Sequence, residues 1–155
     1  MGREQLAAGR DGKAVGSRQQ VVRTGRVRNM IANFKDLIVY KKAFEHAMKI
    51  FHLTKAFPKE EQYSLTDQVR RSSRSICANI GEAWRKRRYP AHFVSKLTDS
   101  DAETSETMIW LDFALECGYV GSHAHEELSS EYAQIGKMLG SMISAPEKFC
   151  YNSKK

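Results

Sequence analysis

The sequence predicts an all-α protein, an antiparallel up-down-up-down four-helix bundle, and three observations support this prediction. Four segments of about 20 residues carry apolar side chains at the three- and four-residue steps that line one face of a helix. Short stretches containing Pro or Gly separate these segments, and short connections favour antiparallel neighbours. The chain shows no β-type alternation of useful length. We expect the bundle over residues 34–145, between an N-terminal tail of residues 1–33 and a C-terminal tail of residues 146–155.

The first helix is predicted from Leu37 to Ala56. Asp36 is its predicted N-cap, because a short side-chain oxygen there can accept a hydrogen bond from the first turn. Pro58 ends the helix, since it lacks an N–H donor and disfavours helical backbone at the residue before it. The predicted core stripe consists of Tyr40, Ala43, Phe44, Ala47, Ile50 and Phe51.

The second helix is predicted from Glu61 to Arg87. Its apolar and small side chains recur at three- and four-residue steps, which predicts a narrow buried face. That face comprises Leu65, Val69, Ser72, Ile76, Ile80 and Ala83.

The third helix is predicted from Tyr89 to Cys117. Pro90 suits its first turn, where a missing N–H group costs little, and Gly118 is a natural stop. The predicted core positions are Phe93, Leu97, Thr104, Met108, Leu111 and Leu115.

The fourth helix is predicted from Ser122 to Ser144, with Ser122 as its cap and Pro146 as a barrier to continuation. Its predicted inward positions are Leu128, Tyr132, Ile135, Leu139 and Met142.

The charge distribution sets the N-terminal tail apart from the bundle. The 155-residue chain has a net charge of +7, and residues 1–33 hold seven basic against two acidic residues, a net charge of +5. This segment has five glycines and no aromatic residue, so it offers too little apolar surface to offset ordering, and we expect disorder. Met30 precedes the first patterned segment, so the tail is either an upstream extension before a natural start or a functional basic arm.

The composition indicates a cytoplasmic protein. No apolar run approaches the roughly 20 residues that a membrane span needs, and the N-terminus lacks the apolar stretch of a secretory signal. Cys77, Cys117 and Cys150 form no CxxC motif and cannot all pair. We therefore expect reduced thiols and no membrane partner.

The third helix carries a second apolar strip. At 100° per residue, Ala102, Ile109 and Phe113 fall opposite its core positions, and Trp110 lies nearby. A few exposed apolar side chains are normal on monomers, whereas a cluster of Ile, Phe and Trp on one helix is typical of a subunit interface. We therefore expect the chain to associate with copies of itself.

Charge is segregated between the second helix and the segments that follow. Residues 70–96 contain eight basic residues against Glu82 alone, whereas residues 97–136 contain nine acidic residues and no Lys or Arg. Arg70, Arg74, Arg85 and Arg88 project to one side of the second helix and form a stripe suited to phosphate groups. The alternative is that these arginines pair with the acidic helix, within or between subunits.

The sequence supports no catalytic constellation. His123 and His125 diverge on a helix, and no further Cys or His has the spacing of a metal site. The serines of the second helix lack a positioned His or Asp partner, and neither a phosphate-binding loop nor a dinucleotide fingerprint occurs. We therefore expect a non-enzymatic protein without a metal ion or cofactor.

Three sequence segments resemble one known family, the four-helix-bundle proteins called 23S rRNA intervening-sequence proteins. The segments are FKDLIVYKKA at residues 34–43, QVRRSSRSICANIGEA at residues 68–83 and LECGY at residues 115–119. The second is the most specific, and the resemblance covers about residues 33–145. Two departures are that Tyr40 stands where the family usually has Trp, and that Gly81 and Ala83 exchange their usual places.

The resemblance implies a homopentameric barrel of bundles with no enzymatic activity. Genes of this family are often found inside intervening sequences of large ribosomal RNA genes. The family is also similar to the accessory variability proteins of diversity-generating retroelements, which assist a reverse transcriptase and bind nucleic acid.

Two function classes remain from the sequence. In the first, an oligomeric bundle binds RNA or DNA electrostatically. In the second, the protein is a scaffold or a reverse-transcriptase accessory whose charges serve subunit and partner contacts. Because no aromatic residue interrupts the arginine stripe, we expect little base stacking and no strong sequence preference.

Overall fold

The computed structural model describes residues 31–151, which contain four α-helices and no β-strand. The helices are α1 (Ile38–Leu53), α2 (Leu65–Lys86), α3 (Pro90–Glu116) and α4 (Ser122–Ser144). Short 3-10 turns lie at Phe34–Asp36, Thr54–Ala56, Lys59–Glu61 and Pro146–Lys148. The predicted all-helical class is confirmed. Residues 1–30 of the predicted N-terminal tail lie outside the described residues.

The predicted boundaries of α3 are confirmed by the residues that fix its two ends. Pro90 is the first helical residue, where its missing N–H needs no partner. Gly118 has a φ of 74° and lets the chain reverse after Cys117. The Tyr119 N–H then donates to the Ala114 carbonyl at 2.9 Å, which satisfies a carbonyl of the last turn.

The predicted N-caps of α1 and α4 are wrong. Asp36 belongs to the 3-10 turn before α1, and this turn is capped by Asn33, whose Oδ1 accepts from the Lys35 N–H at 3.0 Å. Ser122 is already helical, and Gly121 holds the cap position without a side-chain hydrogen bond. Both helices therefore depend on packing more than on capping at these ends.

The helix α2 begins four residues later than predicted, because Glu61 belongs to a preceding 3-10 turn and acts as its external cap. The Glu61 carboxylate accepts hydrogen bonds from the Ser64 hydroxyl, from the Leu65 N–H at 3.2 Å and from the Tyr119 hydroxyl at 3.0 Å. These hydrogen bonds, that from Ser64 foremost, hold the pKa of Glu61 below its ordinary value.

The core lies between all four helices, and α2 packs most extensively against α3. All predicted inward residues of α2 and α4 are buried. On α3, Met108 and Leu115 are only half-buried, whereas Ser100 and Thr107 are buried. The Thr107 hydroxyl donates to the Ser72 hydroxyl at 2.9 Å, so small polar side chains let α2 and α3 approach closely.

The buried face of α1 differs from the predicted stripe. It consists of Val39, Ala43, His46, Ala47 and Ile50. At 100° per residue this face is rotated by roughly 60° from the predicted one. Phe44 is consequently exposed, and Tyr40 and Phe51 are only half-buried. The apolar arc of α1 is wider than the surface that the bundle covers, so its aromatic edge lies beside α2.

The segment after α4 is predicted as a tail, but its first residues pack against the bundle. The Phe149 ring lies 6.0 Å from the Phe93 ring, and the Tyr151 N–H donates to the Arg87 carbonyl at 3.3 Å. An aromatic side chain four residues beyond Ala145 supplies enough apolar surface to hold this segment. Within residues 31–151, no helix combines the length and apolar character that a membrane crossing requires.

Candidate nucleic-acid interface

Three of the four predicted arginines lie on the side of α2 that borders α1. These are Arg70, Arg74 and Arg85, and at 1.5 Å per residue Arg74 and Arg85 stand about 16 Å apart along the helix. Arg88 does not belong to this stripe as predicted, because α2 ends at Lys86 and Arg88 follows in the turn. Arg74, Arg85 and Arg88 are exposed.

Arg70 is less available to phosphate than the sequence predicts. Its Nε donates to the Thr54 hydroxyl at 2.8 Å, and its guanidinium lies 4.9 Å from the centre of the Phe51 ring. The side chain is therefore engaged in joining the end of α1 to α2.

None of these four arginines forms an ion pair with another group of residues 31–151. Some of the acidic residues pair with lysines instead. Lys96 pairs with Glu82 at 3.0 Å and with Asp99 at 3.1 Å, and Lys42 of α1 pairs with Glu131 of α4. Pairing of the arginines with the acidic helix, the alternative named above, thus does not occur between described residues of one subunit.

Aromatic side chains of α1 and of the 3-10 turn before it lie beside the arginines, although no aromatic residue interrupts the arginines within α2. The rings of Phe34 and Tyr40 meet edge to face at 5.0 Å, and Tyr40 stacks on Phe44 at 6.2 Å. The Arg74 guanidinium lies 5.9 Å from the centre of the Phe51 ring. The four-residue step from Tyr40 to Phe44 is visible in the sequence. Its position beside α2 depends on how the helices pack.

A groove runs between the start of α1 and the second half of α2, and we call it the α1–α2 groove. Its volume is about 510 Å³. It is lined by Phe34, Tyr40, Cys77, Ala78, Gly81, Glu82, Arg85 and Lys86. Burial raises the pKa of the Cys77 thiol to about 11, so this thiol is neutral and is not a nucleophile at neutral pH.

The residues of α3 that the sequence predicts for subunit association differ in how far they are exposed. Ile109 and Phe113 are half-exposed, at 51% and 54%, and Ala102 is exposed. Trp110 is half-buried against the core, and its Nε1 donates to Glu106 at 3.0 Å. We call Ala102, Ile109, Trp110 and Phe113 the α3 patch.

Tyr63 extends the α3 patch, although no pattern in the sequence predicts it. Tyr63 is 88% exposed in the connection before α2. Together with Trp110 and Phe113 it lines a second groove of about 440 Å³. A lone tyrosine in a polar connection carries no periodic signal, so only the folded structure reveals its neighbours.

The residues considered for catalysis have structural partners. The Ser73 hydroxyl is buried and donates to the Arg70 carbonyl at 3.1 Å, and the Ser72 hydroxyl donates to the Val69 carbonyl at 3.3 Å. His125 Nε2 lies 2.7 Å from Asp112 Oδ1 and 3.4 Å from the Ser129 hydroxyl, so both polar groups meet the same ring nitrogen. In the described part of the chain, no group of three or more His, Cys, Asp or Glu residues is placed to hold a metal ion.

Comparisons with known proteins found one matching family model and similar solved structures. The family model described as 23S rRNA-intervening sequence protein matches residues 35–141. A similar solved structure is that of a protein of unknown function from the S23 ribosomal protein family of Bacteroides thetaiotaomicron VPI-5482. The two are 31% identical with a TM-score of 0.63, and the match covers 69% of this chain and 96% of the other. Among curated proteins, none matches the sequence.

Proposed function

Since the chain belongs to the 23S rRNA-intervening sequence protein family, we propose that it is a non-catalytic, oligomeric bundle protein that binds RNA or DNA electrostatically. The observation that carries this proposal is that Arg74, Arg85 and Arg88 are exposed and form no ion pair among residues 31–151. Exposed guanidinium groups without a carboxylate partner are suited to phosphate oxygens.

The proposed architecture is an antiparallel up-down-up-down bundle. The contacts between α2 and α3 support it, because they run in opposite directions along the two helices. Ser72 contacts Thr107, the Ile76 carbonyl accepts from Ser100, and Asn79 accepts from Lys96. Opposite order is the pattern of two antiparallel neighbours.

The proposed assembly is a ring of five copies, the number that the family resemblance implies. The half-exposed α3 patch supports association, and the basic and acidic helices are complementary in charge. A head-to-tail contact of two different surfaces closes into a ring when its rotation permits. A ring would also repeat each arginine around its axis.

Repetition strengthens the proposed binding. Each phosphate contact is weak in salt, but several contacts on one assembly release several counterions together, so affinity falls steeply as salt rises. Phosphates carry no base identity, so this part of the binding is independent of sequence.

The test compares two charge reversals on α2 in protein that starts at Met30, which removes the charge of the preceding residues. Arg85→Glu should weaken the binding of all nucleic-acid sequences alike. Arg71→Glu is the matched control, because Arg71 is exposed on the same helix but lies next to Asp67, 3.9 Å away, and outside the stripe. Equal losses in both variants would mean that net charge alone matters and that the stripe is not the binding surface.

The alternative is a protein scaffold or reverse-transcriptase accessory, and the α3 patch together with exposed Tyr63 favours it. In that case the arginines would contact another subunit or protein. Arg85→Glu would then change the mass of the assembly, and the unmodified protein would not bind nucleic acid at low salt.

A further inference from the structure

The α1–α2 groove has the composition of a stacking site as well as a phosphate site. Its helical floor is formed by small residues of α2, namely Cys77, Ala78 and Gly81, and Phe34 and Tyr40 lie over it. A Cβ atom at Gly81 would stand 3.6 Å from the Phe34 ring, an ordinary contact distance, so the space between the ring and the glycine backbone holds about a methyl group. Small residues here leave room that a larger side chain would fill.

The size of the α1–α2 groove suits a planar ligand with a short polar chain. Its volume of about 510 Å³ falls within the roughly 300–1,000 Å³ that is usual for ligand sites. The Tyr40 ring continues outward to Phe44, which is 53% exposed and inclined to it by 24°. Aromatic surface therefore extends from the groove to the solvent.

Positive charge surrounds this aromatic surface. Arg85 and Lys86 line the groove and are exposed, and Arg74 lies further along α2 beside Phe51. The carboxylate of Glu82 also lines the groove and pairs with Lys96 at 3.0 Å, an ammonium group that it shares with Asp99. A ligand that is planar at one end and anionic at the other matches both features.

We infer that the α1–α2 groove binds unpaired nucleotides, with bases against Tyr40 and phosphates on Arg85 and Arg74. The inference rests on the proposed nucleic-acid binding and adds to it a preference for single strands. Bases in a duplex are stacked on each other, whereas unpaired bases can stack on aromatic side chains. A stacked base commonly contributes about 5- to 150-fold in affinity.

The experiment measures fluorescence anisotropy with protein that starts at Met30 and three labelled ligands. These are an oligo(dT) of about 16 nucleotides, an abasic strand of the same length, and a duplex of that length. The abasic strand keeps the phosphates and lacks the bases. We expect wild-type protein to bind oligo(dT) at least about fivefold more tightly than the abasic strand.

Two variants locate this difference. Tyr40→Leu removes the ring, and Gly81→Leu adds a side chain too large for the space below Phe34, which should displace this ring and obstruct the groove while every arginine remains. Both should abolish the preference for oligo(dT) over the abasic strand, because the loss of affinity falls mainly on the ligand that carries bases. Tyr89→Leu is the matched control, because Tyr89 is 57% exposed and lies outside the groove. Helical circular dichroism confirms folding, and Gly81→Leu gives a second answer if Tyr40→Leu does not fold.

The failures are distinguishable. Equal wild-type affinity for oligo(dT) and the abasic strand would overturn the groove inference and leave the proposed electrostatic binding intact. Absence of binding to all three ligands would overturn the proposed function itself. A change in assembly mass in either groove variant would identify the groove as a contact with a second copy, and the inference would be wrong.

Discussion

Replacing Ile109 and Phe113 by Asp should dissociate the assembly without unfolding the bundle. Burying such a side chain completely contributes about 1.5–3 kcal/mol. Both residues are about half-exposed in the isolated subunit, so a partner can cover only the remaining half. The two together therefore contribute about 1.5–3 kcal/mol to each subunit contact, or roughly 10- to 150-fold in its dissociation constant. Burial of the new carboxylates adds to this loss.

Light scattering after size-exclusion chromatography measures the mass, and circular dichroism measures helix content. We expect the double variant to run as a smaller species at micromolar concentration with its helix signal retained. The matched control places two aspartates at the same spacing on α4, as Ser130→Asp with Gln134→Asp, since both positions are exposed. Unchanged mass in the α3 variant, or equal loss in the control, would refute the assignment of the α3 patch to subunit contacts.

Three further predictions concern stability. Tyr132→Phe should raise the free energy of unfolding by about 1 kcal/mol in denaturant titration, because the buried Tyr132 hydroxyl has no hydrogen-bond partner among residues 31–151. A clear loss of stability would mean that the hydroxyl has a hydrogen-bond partner. The hydrogen bond from Lys42 lowers the pKa of Glu131, so its stabilisation is present above the ordinary value of 4.5 and is lost as pH falls through the folded-state pKa. The melting temperature of wild type should therefore exceed that of Glu131→Gln near neutral pH, and the two should converge in acid; a constant difference would contradict this assignment. Protein that starts at Met30 should melt within about 2 °C of the full chain, since the core is built from residues 37–142; a drop of several degrees would show that the removed residues contribute to stability.

The helix faces that the sequence predicts correctly are those with a narrow apolar arc. On α2 and α4, charged and small polar residues flank the apolar positions, so only one orientation buries them. On α1 the apolar side chains cover a wide arc around the helix, with Val39 at one edge and Phe44 at the other. The sequence pattern alone does not determine which side of this arc faces the core. Contacts with α2 and α4 decide this orientation.

The candidate site likewise contains residues that the sequence predicts and residues that only the packing reveals. The arginines of α2 follow from helical spacing within one segment. Their aromatic neighbours belong to α1, and Phe51 precedes Arg70 by 19 residues. Only the packing of α1 on α2 brings these groups together. The predicted cap of α1 and the predicted start of α2 are wrong for a similar reason, because 3-10 turns precede both helices: Asn33 caps the first turn, and Glu61 of the second accepts from the Leu65 N–H.

The salt dependence of nucleic-acid affinity tests the central proposal most directly. Protein that starts at Met30 should bind a single strand at low salt, and the logarithm of its affinity should fall linearly with the logarithm of salt concentration. Each phosphate contact contributes about 0.7 to that slope, so Arg74→Gln with Arg85→Gln should flatten it by about 1.4 for each subunit that engages the strand. No binding at low salt, or an unchanged slope in this double variant, would contradict the proposal that the arginines of α2 hold phosphate.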